Sequence, residues 1–180
     1  MMYKERLLAL ASYQEKLLQL EELERDRCFC RHDQEHFQKV EEIGLWLKRH
    51  NGLTWSEEGI SLAAYLHDLG RVDEYTGKAS HESASAIYAK QMLREIHVPR
   101  QERERICHAV ANHGSRHDIG ELWEKKETYC SLQEILCFAD QFSRPCYRCL
   151  QKAACKWKET EKMQRIKERF GEDVSWQQEI

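Results

Sequence analysis

Residues 65–70 read YLHDLG, which places two strongly polar side chains inside an apolar run. Ile60 and Ala64 precede His67 by seven and three residues, so His67 lies on the apolar face of a predicted helix. A lone histidine on such a face is most simply a core residue with one hydrogen-bond partner. Asp68 changes this interpretation, because a buried carboxylate is costly unless it is paired or binds a metal. The chain must therefore fold around a buried polar site.

Helical periodicity extends over nearly every long segment of the chain, and no convincing period-two strand is present. Leucines recur at mostly three- and four-residue spacings over residues 4–25, and apolar residues do the same over 34–49. Predicted helix starts stand at Thr54 with Glu57, at Ser80, at Pro99 and at Ser131 with Glu134. The sequence therefore predicts an all-α fold.

Composition narrows the class of protein. The 180 residues suffice for one domain, and a formal net charge of −3 provides no overall basic field for nucleic acid or an anionic membrane. The charged N-terminus is a poor signal peptide, and no stretch is apolar enough to span a bilayer. We therefore expect a cytoplasmic protein, in which the eight cysteines are thiols or metal ligands rather than disulfides.

Histidine and aspartate recur in a fixed order beyond the pair in YLHDLG. The ordered residues are His36, His67, Asp68, His81, His113 and Asp140. The order resembles the HD-domain metal-dependent phosphohydrolases, and the pieces that carry it are HFQKV, YLHDLGR, SHESASA, AVANH and FADQF. The dipeptide alone is weak, because it occurs at 32–33, 67–68 and 117–118. The resemblance covers roughly residues 28–145 and implies an HD-domain helical bundle.

The resemblance also implies a metal site with one or two divalent first-row ions, such as iron, manganese or zinc. It makes His36, His67, Asp68 and Asp140 the ligands of a first ion. His81 and His113 are then the additional pair of a second ion, with Asp68 bridging. Imidazole and carboxylate together suit such ions.

A basic residue follows the HD helix in this family, and Arg71 occupies that place. The resemblance assigns it to a phosphate oxygen. The alternative is a solvated cation at a helix end that complements the helix dipole. Lys78 and Arg144 are weaker candidates for the same contact.

A second cysteine-based site is suggested by PCYRCLQKAACKW, which contains Cys146-x2-Cys149-x5-Cys155. A C-x2-C pair commonly begins a zinc or iron–sulfur site, but the usual distant partner pair is missing. A fourth ligand must therefore come from elsewhere in the chain. The alternative is that these residues are free, partly buried thiols.

Cys30 is the expected fourth ligand. It lies six residues before His36, and Cys146 lies six residues after Asp140. If the two metal ligands meet at one ion, the flanking segments are neighbours, and four thiolates would suit zinc or a [4Fe–4S] cluster. Cys28 could replace Cys30 in this arrangement.

The resemblance implies a hydrolase that uses a metal-bound hydroxide on a phosphate ester or anhydride of a nucleotide or a related compound, with Asp68 and Arg71 as catalytic residues. Two alternatives remain open: a diiron oxygenase of the HD type, and a nucleotide or redox sensor without turnover. The expected partner is a small phosphate substrate, with no membrane and no strong nucleic-acid signal. The predicted segments are an amphipathic helix at 1–27, an HD domain at 28–145 and a cysteine-containing extension at 146–180 packed on the same domain.

Overall fold

The computed structural model describes residues 2–114, 131–144 and 150–155. Within these ranges the chain forms eight α-helices and one 3₁₀ turn at Lys152–Ala154, and it forms no strand there. The helices are α1 (Tyr3–Leu8), α2 (Ala11–Leu23), α3 (Gln34–Asn51), α4 (Glu57–Leu66), α5 (Arg71–Tyr75), α6 (His81–Glu95), α7 (Arg100–Asn112) and α8 (Leu132–Phe142). The predicted all-α class is confirmed.

Side-chain caps explain where several helices begin. Ser80 accepts a hydrogen bond from the backbone N–H of Ser83, and Ser131 forms the predicted capping box with Glu134. The prediction of a helix start at Thr54 is wrong, because α4 begins at Glu57. Its N-cap is Ser56, whose hydroxyl accepts from the backbone N–H of Gly59 at 2.9 Å.

The leucine-rich N-terminal segment forms two helices rather than the single helix predicted over residues 4–25. Leu10 has extended backbone angles and stands as the N-cap of α2, while Gln14 Nε2 donates to Leu8 O at 2.7 Å across the break. The interruption lets the two helices pack on different neighbours: α1 lies against α4, and α2 lies against α5.

The core is organised around α4, which contacts α1, α3, α6, α7 and α8. Every residue of this helix from Gly59 to Leu66 is buried. A helix that is apolar on all sides is stable only inside a bundle. The core includes side chains of the N-terminal helices, such as Leu7 and Leu20. The helix that carries the YLHDLG motif is therefore the centre of the bundle.

The chain turns sharply after α4, whereas the sequence HDLGR predicts that this helix continues and ends at Gly70. The helix ends at Leu66, residues 67–70 form a turn, and α5 begins at Arg71. A Cβ atom on Gly70 would lie 2.3 Å from the backbone O of His81 and 2.3 Å from the backbone N of Ser85. The missing side chain therefore allows the turn to contact the first turn of α6 directly.

Some expectations lie outside the described residues. These are the polar segment 115–129, Cys146 and Cys149, and most of the predicted extension 146–180. The division into 1–27, 28–145 and 146–180 also stays a prediction. In the part of the chain that is described, no helix has the length and apolar character needed to cross a membrane.

Candidate metal centre

Asp68 lies at the middle of a buried polar cluster. Its side chain is 0% exposed, and neither carboxylate oxygen has an aligned hydrogen bond among the described residues. Arg71 Nε lies 3.0 Å from Oδ1, as a charge pair rather than an aligned hydrogen bond. Buried carboxylate oxygens in this situation need a partner that the protein groups do not supply.

One set of side chains faces Oδ2 of Asp68. His67 Nε2 lies 3.2 Å from this oxygen and His36 Nε2 lies 3.8 Å from it. Asp140 Oδ1 completes the set, at 3.3 Å from His36 Nε2 and 3.8 Å from His67 Nε2. The four ligand atoms all lie within 4.8 Å of one another.

The second set faces the other oxygen of the same carboxylate. His113 Nε2 lies 3.5 Å from Oδ1 of Asp68, and His81 Nε2 lies 3.6 Å from it. These three residues also form a group of ligand atoms within 4.8 Å of one another. Asp68 thus belongs to both sets and presents one oxygen to each.

Each of the four imidazoles is oriented through Nδ1. His67 and His113 donate to the carbonyl oxygens of Ala64 and Val110, both at 2.7 Å. A carbonyl can only accept, so these two rings carry the proton on Nδ1 and leave Nε2 free as a ligand when neutral. The local chain explains both bonds, because each histidine is the C-cap of its helix and reaches back three residues.

The other two imidazoles are held by side chains. Ser143 Oγ donates to Asp140 O at 2.7 Å and therefore accepts from His36 Nδ1 at 3.1 Å. His81 Nδ1 donates to Glu74 Oε1 at 2.8 Å. Carboxylate and hydroxyl partners of this kind are typical behind metal-bound histidines.

The arrangement fits divalent ions. Nε2 of His36 and Nε2 of His67 face each other at 3.3 Å. Both rings use Nδ1 to donate, so in the neutral form two lone pairs would repel unless a cation lies beside them. Metal–ligand bonds of about 2.1 Å separate adjacent ligand atoms by about 3 Å and opposite ones by about 4.2 Å. The distances between ligand atoms given above are 3.2–3.8 Å, which lies within that range.

A family model of the HD domain matches residues 34–144 of the chain. The chain belongs to the HD domain family. The cluster described above fits an HD-type metal site. An uncharacterized protein of Clostridium beijerinckii is 28% identical over 139 residues, which is 77% of this chain and 82% of that relative. No solved structure matches the chain.

The charged side chains at the centre of this HD domain protein stabilise one another against the cost of burial. Burial raises the pKa of Asp68, but the charges of His67 and Arg71 outweigh it and hold that pKa well below its usual range. Burial lowers the pKa of His67, and the charge of Asp68 with the hydrogen bond of Asp140 outweighs it, so that the pKa rises to about 9. A proton on His67 is therefore stabilised at the position where a metal cation would bind.

The three basic residues considered for phosphate contact have different surroundings. Arg71 is 14% exposed and is held by Asp68 and by Glu74, whose Oε2 accepts from Nη1 at 3.0 Å. It is mostly buried and stands at the N-terminal end of α5, where a cation does not complement the helix dipole, so it does not fit the alternative of a solvated helix-end cation. Arg144 Nη2 donates to both oxygens of Asp140 at 3.0 Å. Lys78 is exposed.

The cysteines of the predicted second site are described only in part. Cys30 and Cys155 are half-buried, and Cys28 is exposed. Cys146 and Cys149 lie outside the described residues. The four-thiolate site therefore stays a prediction.

The fold also brings His32, Glu24, Glu74 and Ser143 to the centre, and none of them was among the predicted site residues. His32 was visible only as one of three HD dipeptides, although its spacing of four residues from His36 is a usable signal. Glu24 and Glu74 lie in charged stretches where nothing local distinguishes them. Their positions behind histidines arise from tertiary packing.

Proposed function

We propose that this HD domain protein is a metal-dependent phosphohydrolase for a nucleotide or a related phosphate ester or anhydride. The observation that carries the proposal is the division of Asp68 between two ligand sets, with Oδ2 facing one and Oδ1 facing the other. Divalent ions bound there would supply Lewis acidity to a phosphoryl group and lower the pKa of a bound water. HD domains act on small phosphate substrates, and this supports the substrate class.

The chain's own residues have distinct parts in this proposal. His36, His67 and Asp140 would hold the first ion with Asp68. His81 and His113 would hold the second, with Asp68 as the shared residue.

Arg71 supplies positive charge at the centre. Asp68 holds its Nε and Glu74 holds its Nη1, so the guanidinium has a fixed orientation. We propose that it contacts a phosphate oxygen through the part of its surface that stays exposed.

The cysteines form a separate part of the proposal. Cys30, Cys146, Cys149 and Cys155 would bind zinc or an iron–sulfur cluster. Metal content per chain tests this directly on protein purified without oxygen. About two first-row ions without acid-labile sulfide would leave the cysteines as thiols, one additional zinc would support a structural site, and sulfide with excess iron would support a cluster.

The enzymatic proposal is tested by turnover on a broad panel of phosphate esters and anhydrides with manganese-, iron- or zinc-loaded protein. Asp68→Ala should abolish turnover, because both ligand sets lose their shared residue. The matched control is Asp73→Ala, since Asp73 accepts from Tyr88 OH at 2.7 Å away from the cluster. Wild-type rates in Asp68→Ala or in fully demetallated protein would refute the metal mechanism.

The same panel separates the alternatives. Tight nucleotide binding without turnover would favour a sensor. Oxygen consumption with a substrate, together with a mixed-valent iron signal, would favour an oxygenase.

A further inference from the structure

His32 approaches the centre as a fifth imidazole. Its side chain is 3% exposed, and Nε2 lies 3.7 Å from Oδ2 of Asp68. The other four imidazoles place Nε2 between 3.2 and 3.8 Å from the same carboxylate. By this distance His32 cannot be distinguished from the residues assigned to metal binding, and a functional explanation is needed for it.

A buried glutamate fixes the orientation of this ring. Glu24 is 2% exposed and accepts from the backbone N–H of His32 at 2.5 Å and from its Nδ1 at 2.6 Å. Tyr75 OH also donates to Glu24, and Arg27 Nη1 lies 3.9 Å from the same carboxylate. Because Nδ1 is committed to Glu24, the ring presents Nε2 to the centre.

The ligand sets exclude His32. Neither group whose ligand atoms all lie within 4.8 Å of one another contains it. Ligands of one ion lie at most about 4.4 Å apart when metal–ligand bonds are about 2.2 Å. His32 therefore stands beside the first set, next to Oδ2 of Asp68, rather than within it.

A separation of 3.7 Å between Nε2 and Oδ2 is longer than a hydrogen bond. Nε2 of His32 is therefore available to a third group placed beside the first ligand set. Nε2 could share a proton with a phosphate oxygen placed there, and Glu24 holds the ring in the orientation that this contact needs.

We propose that His32 contacts a phosphate oxygen of the substrate beside the first ligand set, and that Glu24 is its positioning residue. This inference rests on the proposed function. It adds a substrate-binding residue that belongs neither to the two ligand sets nor to the arginines.

The test uses manganese-loaded full-length protein and inorganic phosphate as the probe. Phosphate binding is measured by calorimetry, and metal per chain is measured on the same samples. His32→Gln is compared with His108→Gln, an identical substitution at an exposed histidine of α7. We expect unchanged metal content in both variants and phosphate binding weakened about tenfold or more in His32→Gln alone, as for the loss of one hydrogen bond to a charged group.

Glu24→Gln is the second variant. It keeps a side chain of the same size beside Nδ1 but removes the carboxylate charge, so we expect weaker phosphate binding with full metal content. If His32→Gln does not fold, which circular dichroism would show, Glu24→Gln decides the question alone.

The remaining outcomes each overturn a stated part. Loss of metal from His32→Gln but not from His108→Gln would make His32 a ligand and refute the phosphate contact. Wild-type phosphate affinity in a folded, fully loaded His32→Gln or Glu24→Gln protein would also refute the contact while leaving the proposed function intact. Absence of phosphate binding by the wild-type loaded protein would refute the phosphate contact of His32, while the turnover panel decides the proposed function separately.

Discussion

Replacing Gly70 by alanine should disturb one half of the metal centre more than the other. The added Cβ would lie 2.3 Å from His81 O and 2.3 Å from Ser85 N, whereas ordinary contact begins at 3.4 Å. Both neighbours are backbone atoms, which cannot rotate away. The first turn of α6 must therefore retreat by about 1 Å, and overpacking of this kind costs about 1–3 kcal/mol.

His81 is the first residue of α6 and moves with it. Its Nε2 lies 3.6 Å from Oδ1 of Asp68, so a retreat of this size displaces a ligand of the second set while leaving His36 and His67 in place. We expect the affinity for a second ion to fall by about 10- to 100-fold, as for other disturbances of ligand orientation. The free energy of unfolding of metal-free protein should fall by the amount given above.

Urea unfolding of metal-free protein and a manganese titration measure the two effects. Ser85→Ala is the control, because it removes the hydrogen bond from Gly70 N–H to Ser85 Oγ, at 2.8 Å, without adding volume. It should cost about 1 kcal/mol and leave both ions bound. A wild-type urea midpoint together with wild-type affinity for two ions in Gly70→Ala would contradict the predicted clash.

The remaining predictions concern protons and His81. Metal binding at pH 7 should release about one proton from His67, because the charge of Asp68 outweighs burial and raises the pKa of His67 to about 9. Calorimetry in buffers of different ionisation enthalpy measures this release, which should vanish above pH 9. The same proton stabilises the metal-free fold fully below about pH 6.5, and this stabilisation is lost as the pH rises through about 9. Glu74→Gln should weaken second-ion affinity by about 10- to 100-fold, because Glu74 orients His81; equal weakening in Asp73→Asn would contradict this reason.

The fold class could be predicted because helix periodicity and caps are local signals. Ser80 and Ser131 cap helices as predicted, since each hydroxyl reaches an N–H three residues on. The helix start predicted at Thr54 was wrong because Ser56 provides the same capping hydroxyl two residues later. The Ser56 hydroxyl also donates to Glu102 Oε1 of α7 at 2.9 Å. A contact across 46 residues leaves no local trace in the sequence.

The metal-centre residues were identified through ordered motifs, whereas the residues behind them were not. The oxygen of Asp68 that faces each set depends on the turn at 67–70, which the sequence suggested only as a helix end. Glu24 acts on His32 through the packing of α2 against α5, where Tyr75 also reaches it. Such partners are chosen by tertiary geometry, and any glutamate in the charged stretch around Glu24 would have been an equal candidate.

The ligand sets draw on segments that are far apart along the chain. His36 and Ser143, which orient one another, are separated by 107 residues, and Asp68, His81 and His113 lie between them. A partly folded chain cannot assemble such a set, so ions that bind only the native state favour completion of folding. At a free ion concentration of 1,000 times the dissociation constant, this adds about 4 kcal/mol to native stability. Bound ions would therefore act as a non-covalent cross-link between segments that are distant in the sequence, and a chelator should lower the free energy of unfolding by this amount without unfolding the chain.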